Sequence, residues 1–316
     1  KMKLIIYLPA YNEEKQIRNV LLNLPEKLEN IEKIQYLVVD DGSQDRTKEY
    51  ALESGAEVIS HGSNRGVGAS FYSAIEFALK NDTDILVSID ADGQFDSNEI
   101  PTLIAEIEEN NVDMIVGNRF SSGRPQNMSK IKYWGNKKIA QLISYISAQK
   151  FQDVSCGYRA YNREALLRLN IFGKFTYTHE SILSLVYQGL RVKEHPVKVS
   201  YYADRKSRIA HSIPRYALRA SAIILRVLLD YSPIRVFGAL GTIFFLIGSA
   251  FEVFLLSYYV FSGSFTPYKA TGFIGLAFII LAMFVFLLAL IADMLLRMRI
   301  LQDRQLYEFK KNLYEN

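Results

Sequence analysis

The sequence predicts an α/β domain built on a mostly parallel sheet, followed by an amphipathic segment and a membrane-spanning hairpin. Three observations carry this prediction. Through about residue 200, short apolar runs alternate with stretches of helical period. Several of those runs end in carboxylates and glycine, where the edge of such a sheet would gather them. After about residue 232 the composition becomes almost wholly apolar.

Residues 3–9 read as a first strand, and residues 13–28 as a helix with Ile17, Val20, Leu21 and Leu24 on one face. Residues 36–40 make a second strand, running into the turn Asp41-Gly42-Ser43 and a helix start. A third strand covers 57–60. A helix over 66–80 turns Phe71, Ala74, Ile75 and Ala78 inward. The apolar run from Ile85 enters Asp90, and a helix over 97–109 and a strand over 113–117 follow. A later helix over 178–189 opens with His179 and Glu180, where an acidic residue complements the helix dipole.

Residues 234–261 and 271–296 are each long and apolar enough to cross a bilayer as a helix, broken by Arg235, Glu252 and Asp293. A buried hairpin of a soluble protein is the alternative. Arg215, Arg219, Arg226 and Arg235 precede the spans, and Arg297, Arg299, Arg304, Lys310 and Lys311 follow. The positive-inside rule then puts the α/β part and both ends of the sequence in the cytoplasm and the loop 262–270 outside. A charge such as Glu252 within a span is expected to face another helix. Residues 211–232 interleave apolar side chains with arginines, as in a helix lying on anionic headgroups, a core helix being the alternative. The predicted divisions are a domain over 1–210, a juxtamembrane helix over 211–232, a two-span hairpin over 233–297 and a basic helix over 298–316.

The net charge of +4 is too mild to suggest a nucleic-acid partner. Cys156 is the sole cysteine, so no intrachain disulfide forms, and a buried inert thiol is expected. The first apolar run, residues 4–9, is too short for a secretory signal.

The most informative stretch is Ile85-Leu86-Val87-Ser88-Ile89-Asp90-Ala91-Asp92-Gly93-Gln94. In extended backbone Asp90 and Asp92 point to one side. Two converging carboxylates repel unless a proton or cation lies between them, and a hard divalent ion gripping substrate phosphates would resolve the conflict. An ordinary Asp-Gly turn fits the same residues. Two other strand ends share that edge, Pro9-Ala10-Tyr11-Asn12-Glu13-Glu14 and Asp40-Asp41-Gly42-Ser43. Tyr11 is suited to stack on a base, and Asp40 or Asp41 to accept hydrogen bonds from a ribose or base. No Gly-x-Gly-x-x-Gly follows the first strand, which argues against a dinucleotide-binding dehydrogenase.

Pro9-Ala10-Tyr11-Asn12-Glu13, Val38-Val39-Asp40-Asp41-Gly42-Ser43, Asn64-Arg65-Gly66 and Asp90-Ala91-Asp92 together resemble family 2 glycosyltransferases of the GT-A fold, over about residues 1–210. Asp153-Val154-Ser155-Cys156-Gly157-Tyr158-Arg159, Arg205-Lys206-Ser207-Arg208 and the two spans are similar to the polyisoprenyl-phosphate branch. That branch includes dolichyl-phosphate mannose and glucose synthases and bacterial undecaprenyl-phosphate enzymes.

The resemblance implies inverting transfer of a hexose from a UDP- or GDP-sugar to dolichyl or undecaprenyl phosphate, at the cytoplasmic face of the plasma membrane. Pro9, Ala10, Tyr11, Asn12, Glu13, Asp40, Asp41, Arg65 and Gly66 would hold the nucleotide. Asp90 and Asp92 would hold Mg²⁺ or Mn²⁺, with Gln94 and Asp153 close to the reacting groups. Arg119, Lys132, Arg205, Ser207 and Arg208 would hold the lipid phosphate, since cationic side chains and hydroxyls match phosphate oxygens. In some members an acidic residue near Glu180 lies by the acceptor. Bacterial relatives suggest a homo-oligomer, a tetramer included. The motifs leave the sugar open. Transfer to another lipid or a polysaccharide is the first alternative. Processive synthases carry Gln-x-x-Arg-Trp, however, and the sole tryptophan here is in Tyr133-Trp134-Gly135. A membrane-anchored nucleotide-binding module without catalysis is the second.

Overall fold

The computed structural model describes residues 1–170, 177–201, 225–226 and 228–315. Its sheet has seven strands: β1 (Met2–Ala10), β2 (Ile31–Asp40), β3 (Glu57–Ser60), β4 (Ile85–Ser88), β5 (Met114–Asn118), β6 (Arg159–Asn162) and β7 (Val192–Pro196). They lie in the order β3-β2-β1-β4-β6-β5-β7. All neighbouring pairs are parallel except those made by β6, which runs antiparallel to β4 and β5. The mostly parallel α/β sheet predicted from the alternation is therefore present, with one reversed strand that no periodicity announced.

The central strands are continuous apolar runs because both faces are covered. Leu4, Ile5, Ile6 and Leu8 of β1 and Leu37, Val38 and Val39 of β2 are fully buried. The covering helices are α1 (Ile17–Leu22), α2 (Thr47–Glu53), α3 (Val67–Lys80), α4 (Ile100–Asn110), α5 (Lys130–Ser147), α6 (Arg163–Arg168) and α7 (Thr178–Tyr187). In α3 the residues Phe71, Ala74, Ile75 and Ala78 face inward, at the spacing read from the sequence.

Local chemistry moved several boundaries. The helix expected over 13–28 shrinks to α1, because residues 12–14 are spent on bonds to the neighbouring loop. The helix expected from residue 97 begins with a short 3₁₀ turn, Ser97–Glu99, capped by the Asp96 side chain, before α4. β4 ends at Ser88, so Asp90 and Asp92 sit in a turn closed by Gly93 rather than in extended strand.

The chain divides into two compact units, residues Lys1–Ala217 with Asp303–Asn316, and Leu218–Gln302. The second unit holds α8 (Pro233–Ser262) and most of α9 (Lys269–Glu315), the two helices long and apolar enough to cross a membrane. Gly248 and Gly275 let these helices approach closely: a Cβ on Gly248 would lie 2.7 Å from the Gly275 carbonyl oxygen. Glu252 packs at the same place, its Oε1 2.7 Å from where a Gly275 Cβ would be, so it faces the other helix of its own hairpin. No proline or glycine interrupts α9 after Gly275, and the helix runs unbroken through the residues expected to form a separate C-terminal helix. Its last turns, counted in the first unit, pack against α6. There Lys310 Nζ donates to the Leu169 carbonyl at 2.7 Å, and Tyr307 to Glu164 at 3.1 Å. Most of the juxtamembrane helix expected over 211–232 lies outside the described residues.

Candidate active site

At the carboxyl edge of β1, β2 and β4 lies a cleft of about 300 Å³. Pro9, Ala10, Tyr11 and Glu13 form one wall. Asp41, Asn64, Gly66, Val67 and Ser70 form another, and Asp90, Ala91 and Asp92 close it.

The first wall is shaped by two loops zipped together through side chains. Asn12 takes a left-handed conformation, φ 54°, which asparagine tolerates well. Its N–H donates to Ser43 Oγ at 2.9 Å, and its Oδ1 accepts from Gln44 N at 2.9 Å. Glu13 N donates to Thr47 Oγ1 at 2.8 Å. The motif residues Asn12 and Ser43, with Thr47, thus fix backbone, which leaves the Tyr11 and Glu13 side chains to line the cleft.

Asp40 and Asp41 divide the labour at the end of β2. Asp40 turns inward, accepting from Ser43 N at 3.0 Å and Ser60 Oγ at 2.9 Å. Asp41 lines the cleft and grips the next loop. It accepts from Arg65 N at 2.9 Å, Gly66 N at 2.8 Å and the buried His61 ring, whose Nδ1 lies 2.8 Å away. The His61 Nε2 is held at 3.0 Å from Ser73 Oγ on α3. Gly42 is required between the two aspartates. Its φ is +77°, and a Cβ there would lie 2.7 Å from the Ser63 backbone.

Asp90 and Asp92 occupy the tip after β4. Asp92 Oδ1 accepts from Gln94 N at 3.0 Å, which sets the turn. Asp90 lies over Gly157, where a Cβ would sit 2.7 Å from its Oδ1. Burial, and then the charge of Asp92, push the Asp90 carboxyl up to about 6. The pair therefore carries the electrostatic conflict that a cation relieves, and its oxygens are the hard donors that Mg²⁺ or Mn²⁺ takes. Among the described residues no three His, Cys, Asp or Glu side chains gather as a ready metal set. A cation on Asp90 and Asp92 would draw further oxygens from a bound ligand, as Mg²⁺ commonly does with substrate phosphates.

Next to this tip stands a buried ion pair. Arg119 Nε and Nη2 lie 2.6 and 2.9 Å from Asp153, and Nη1 donates to the Tyr201 hydroxyl at 3.2 Å. Burial works against the guanidinium charge, but the hydrogen bonds to Asp153 outweigh it and hold its pKa well above the ordinary value. Glu194 Oε1 in turn accepts the backbone N–H of Gln152 and Asp153, at 2.7 and 2.6 Å. Lys132 of α5 is half-buried and feels Asp92, Asp153 and Asp90. Burial, and then Arg119, lower its pKa. Arg159, fully buried, donates to the carbonyls of Cys156, Val154 and Thr178, which makes it the clamp of the 153–158 loop. Cys156 is buried and burial raises its thiol to about 12, the inert state expected. His179 is buried against Ser155 Oγ, and burial followed by Arg159 lowers it to about 4.

The cleft thus brings together Pro9, Ala10, Tyr11, Glu13, Asp41, Gly66, Asp90 and Asp92. Asn12, Asp40 and Arg65 stand behind it and shape its walls through their backbone or buried side chains. Gln94 contributes its backbone, accepting from Ser200 N at 2.8 Å. Arg119, Lys132 and Asp153 form a group beyond the cleft lining. Arg205, Ser207 and Arg208 lie outside the described residues. His61, Glu194 and Tyr201 escaped the sequence reading. Each is an isolated polar residue whose partners lie 12 or more positions away, so no local pattern marks it.

Residues 5–169 match the family description Glycosyl transferase family 2. An uncharacterised protein of Methanocaldococcus jannaschii is 31% identical over 72% of this chain and 93% of its own length. A UDP-N-acetylglucosamine–dolichyl-phosphate N-acetylglucosaminyltransferase of Methanococcus voltae is 30% identical over 62% of this chain and 86% of its own. Among solved structures, glucosyl-3-phosphoglycerate synthase of Mycobacterium tuberculosis, in complex with Mn²⁺, UDP and phosphoglyceric acid, superposes with a TM-score of 0.54 at 17% identity. It covers 72% of this chain and 78% of that one, a likeness of fold.

Proposed function

The chain belongs to glycosyl transferase family 2, and from that premise we propose that it transfers a hexose from a nucleotide sugar to a polyisoprenyl phosphate at a membrane surface. The observation that carries the reading is a single cleft lined both by Tyr11, Glu13 and Asp41 and by Asp90 and Asp92. The relative from Methanococcus voltae, whose name gives a dolichyl-phosphate acceptor, and the two apolar helices support a lipid acceptor.

In this reading Tyr11 stacks on the base, and Asp41, oriented by His61, accepts from the base or ribose. Asp90 and Asp92 would hold Mg²⁺ or Mn²⁺, which would offset charge on the departing nucleoside diphosphate. A phosphate monoester is already mostly dianionic at neutral pH and needs little general-base help. It needs positive charge close to the donor. Lys132 supplies it from α5. Arg119 is consumed by Asp153 and acts by positioning the wall around the acceptor. Arg205, Ser207 and Arg208 enter on family resemblance alone. The acceptor oxygen displaces the nucleoside diphosphate in line at the anomeric carbon, with inversion. In this reading the catalytic part faces the cytoplasm, the side that the arginine-rich flanks of the spans favour.

A panel of radiolabelled UDP- and GDP-sugars, offered to the full chain in vesicles with a polyisoprenyl phosphate or its dephosphorylated alcohol, tests the proposal. Label entering the lipid phase with the phosphate and not the alcohol supports it. Label transferred equally to the alcohol overturns the phosphate acceptor.

A further inference from the structure

We infer that the outer face of α5 is a docking surface for a bilayer interface that carries anionic headgroups. The helix buries Asn136, Ile139, Ala140, Ile143 and Ile146 against the domain. On the opposite side it exposes large apolar residues, Ile131 at 47%, Trp134 at 64% and Tyr145 at 69%. At 3.6 residues per turn these fall, with Lys138, within roughly 60° of one another. Leu22 on α1 and Leu52 on α2 stand singly, whereas Leu306, Phe309 and Leu313 on the last turns of α9 also share a face, in a stretch that carries Asp303 and Glu308 beside its lysines.

The charge on the helix is of one sign. Residues Lys130–Ser147 include Lys130, Lys132, Lys137 and Lys138 and no aspartate or glutamate. Lys130 and Lys138 are exposed, and Lys138 Nζ stands 5.7 Å over the Trp134 ring. Tryptophan and tyrosine flanked by lysine on a partly apolar helical face are the side chains that settle at the headgroup level of a membrane. A soluble protein partner would ask for a closed apolar patch with few free lysines. A bilayer is the occupant this chain is certain to meet if its two long apolar helices span one. The arrangement also has a use. The same helix that lays Trp134 outward holds Lys132 toward Asp92, Asp153 and Asp90. An acceptor head arriving from the headgroup layer would find Lys132 on the inner side of that helix.

The sole tryptophan of the chain is Trp134, so the native protein reports on this face without labelling or activity. The full chain is placed in nanodiscs of phosphatidylcholine alone or mixed equally with phosphatidylglycerol, with or without acyl-chain-brominated phosphatidylcholine. The expected result is Trp134 emission quenched roughly twofold by the brominated lipid, more deeply with phosphatidylglycerol, and poorly reached by iodide. The double change Lys130→Glu, Lys138→Glu is expected to abolish the gain from phosphatidylglycerol. Emission open to iodide and untouched by bromine overturns the proposal. Emission shielded from iodide yet untouched by bromine also overturns it, and shows that protein covers the face instead. Bromine quenching with no response to phosphatidylglycerol overturns the anionic preference. None of these outcomes depends on whether sugar transfer is observed.

Discussion

Nε of Arg119 sits 2.6 Å from one carboxylate oxygen of Asp153 and Nη2 sits 2.9 Å from the other, with the Asp153 side chain wholly removed from solvent. Breaking a buried pair by removing one member leaves the other charge uncompensated, at a cost of about 3–5 kcal/mol. Asp153→Ala is therefore expected to lower the thermal midpoint of the purified full chain sharply. Arg119→Lys, which keeps the charge but loses the fork, is expected to cost about 1–3 kcal/mol. Equal melting of Asp153→Ala and the native chain would show that the pair does not hold this wall.

Gly157 carries a second prediction. A methyl group there would lie 2.7 Å from Asp90 Oδ1 and 3.1 Å from Oδ2, so the Asp90 carboxylate would have to move. Displacing a reacting-site group by about 1 Å costs on the order of 10²-fold in rate. Gly157→Ala is expected to lose about that much transfer activity while melting close to the native chain. The comparison of initial rates with thermal midpoints checks it.

The pH dependence follows from Asp90. Burial, then Asp92, raise its carboxyl to about 6, so the native site holds a proton below that pH that the unfolded chain releases. Between the ordinary carboxylate value and about 6, the cation-free protein is therefore stabilised as pH falls. A cation must displace that proton, so Mn²⁺ affinity is expected to fall by up to about tenfold for each unit of pH below 6. Titration of Mn²⁺ by its electron paramagnetic resonance signal at about pH 7.5 and about pH 5 measures the loss. Flat affinity over that range would contradict a shared proton and cation site.

How much of this was legible in the sequence depended on whether a residue's partner was local. The strands β1 and β4 and the helix α3 were readable because burial on one or both faces imposes an apolar period. The strand-end motifs around Tyr11, Asp41 and Asp92 were readable as a set because a parallel sheet gathers its carboxyl ends at one edge. The reversed strand β6 was not, since Arg159-Ala160-Tyr161-Asn162 begins with an arginine buried as a clamp on the carbonyls of its own loop. Asp40 and Asp41 looked equivalent, and only the Ser60 and His61 contacts at the end of β3 separate a buried corner from a cleft wall. The pairing of Arg119 was hidden too, since Asp153, which takes two of its guanidinium nitrogens, lies 34 positions away.

His61 supports Asp41 through a 2.8 Å contact while its other nitrogen is tied to Ser73. Losing one such hydrogen bond is worth about 0.5–1.5 kcal/mol, so His61→Ala is expected to weaken nucleoside diphosphate binding about three- to tenfold. The turnover rate at saturating donor is expected to hold, because His61 lies outside the cleft lining and acts through Asp41. Calorimetric titration with UDP and GDP, alongside the saturating rate, separates the two.

The central claim rests on Asp92 and Asp90 as the site where the donor diphosphate is held for transfer to a lipid phosphate. The most direct measurement is radiolabelled sugar passing from its nucleotide into the polyisoprenyl phosphate fraction, for the native chain and for Asp92→Ala in the same vesicles. Loss of at least about 10³-fold in the variant, with the fold intact, is the predicted result. Transfer within about twofold of the native rate would contradict it.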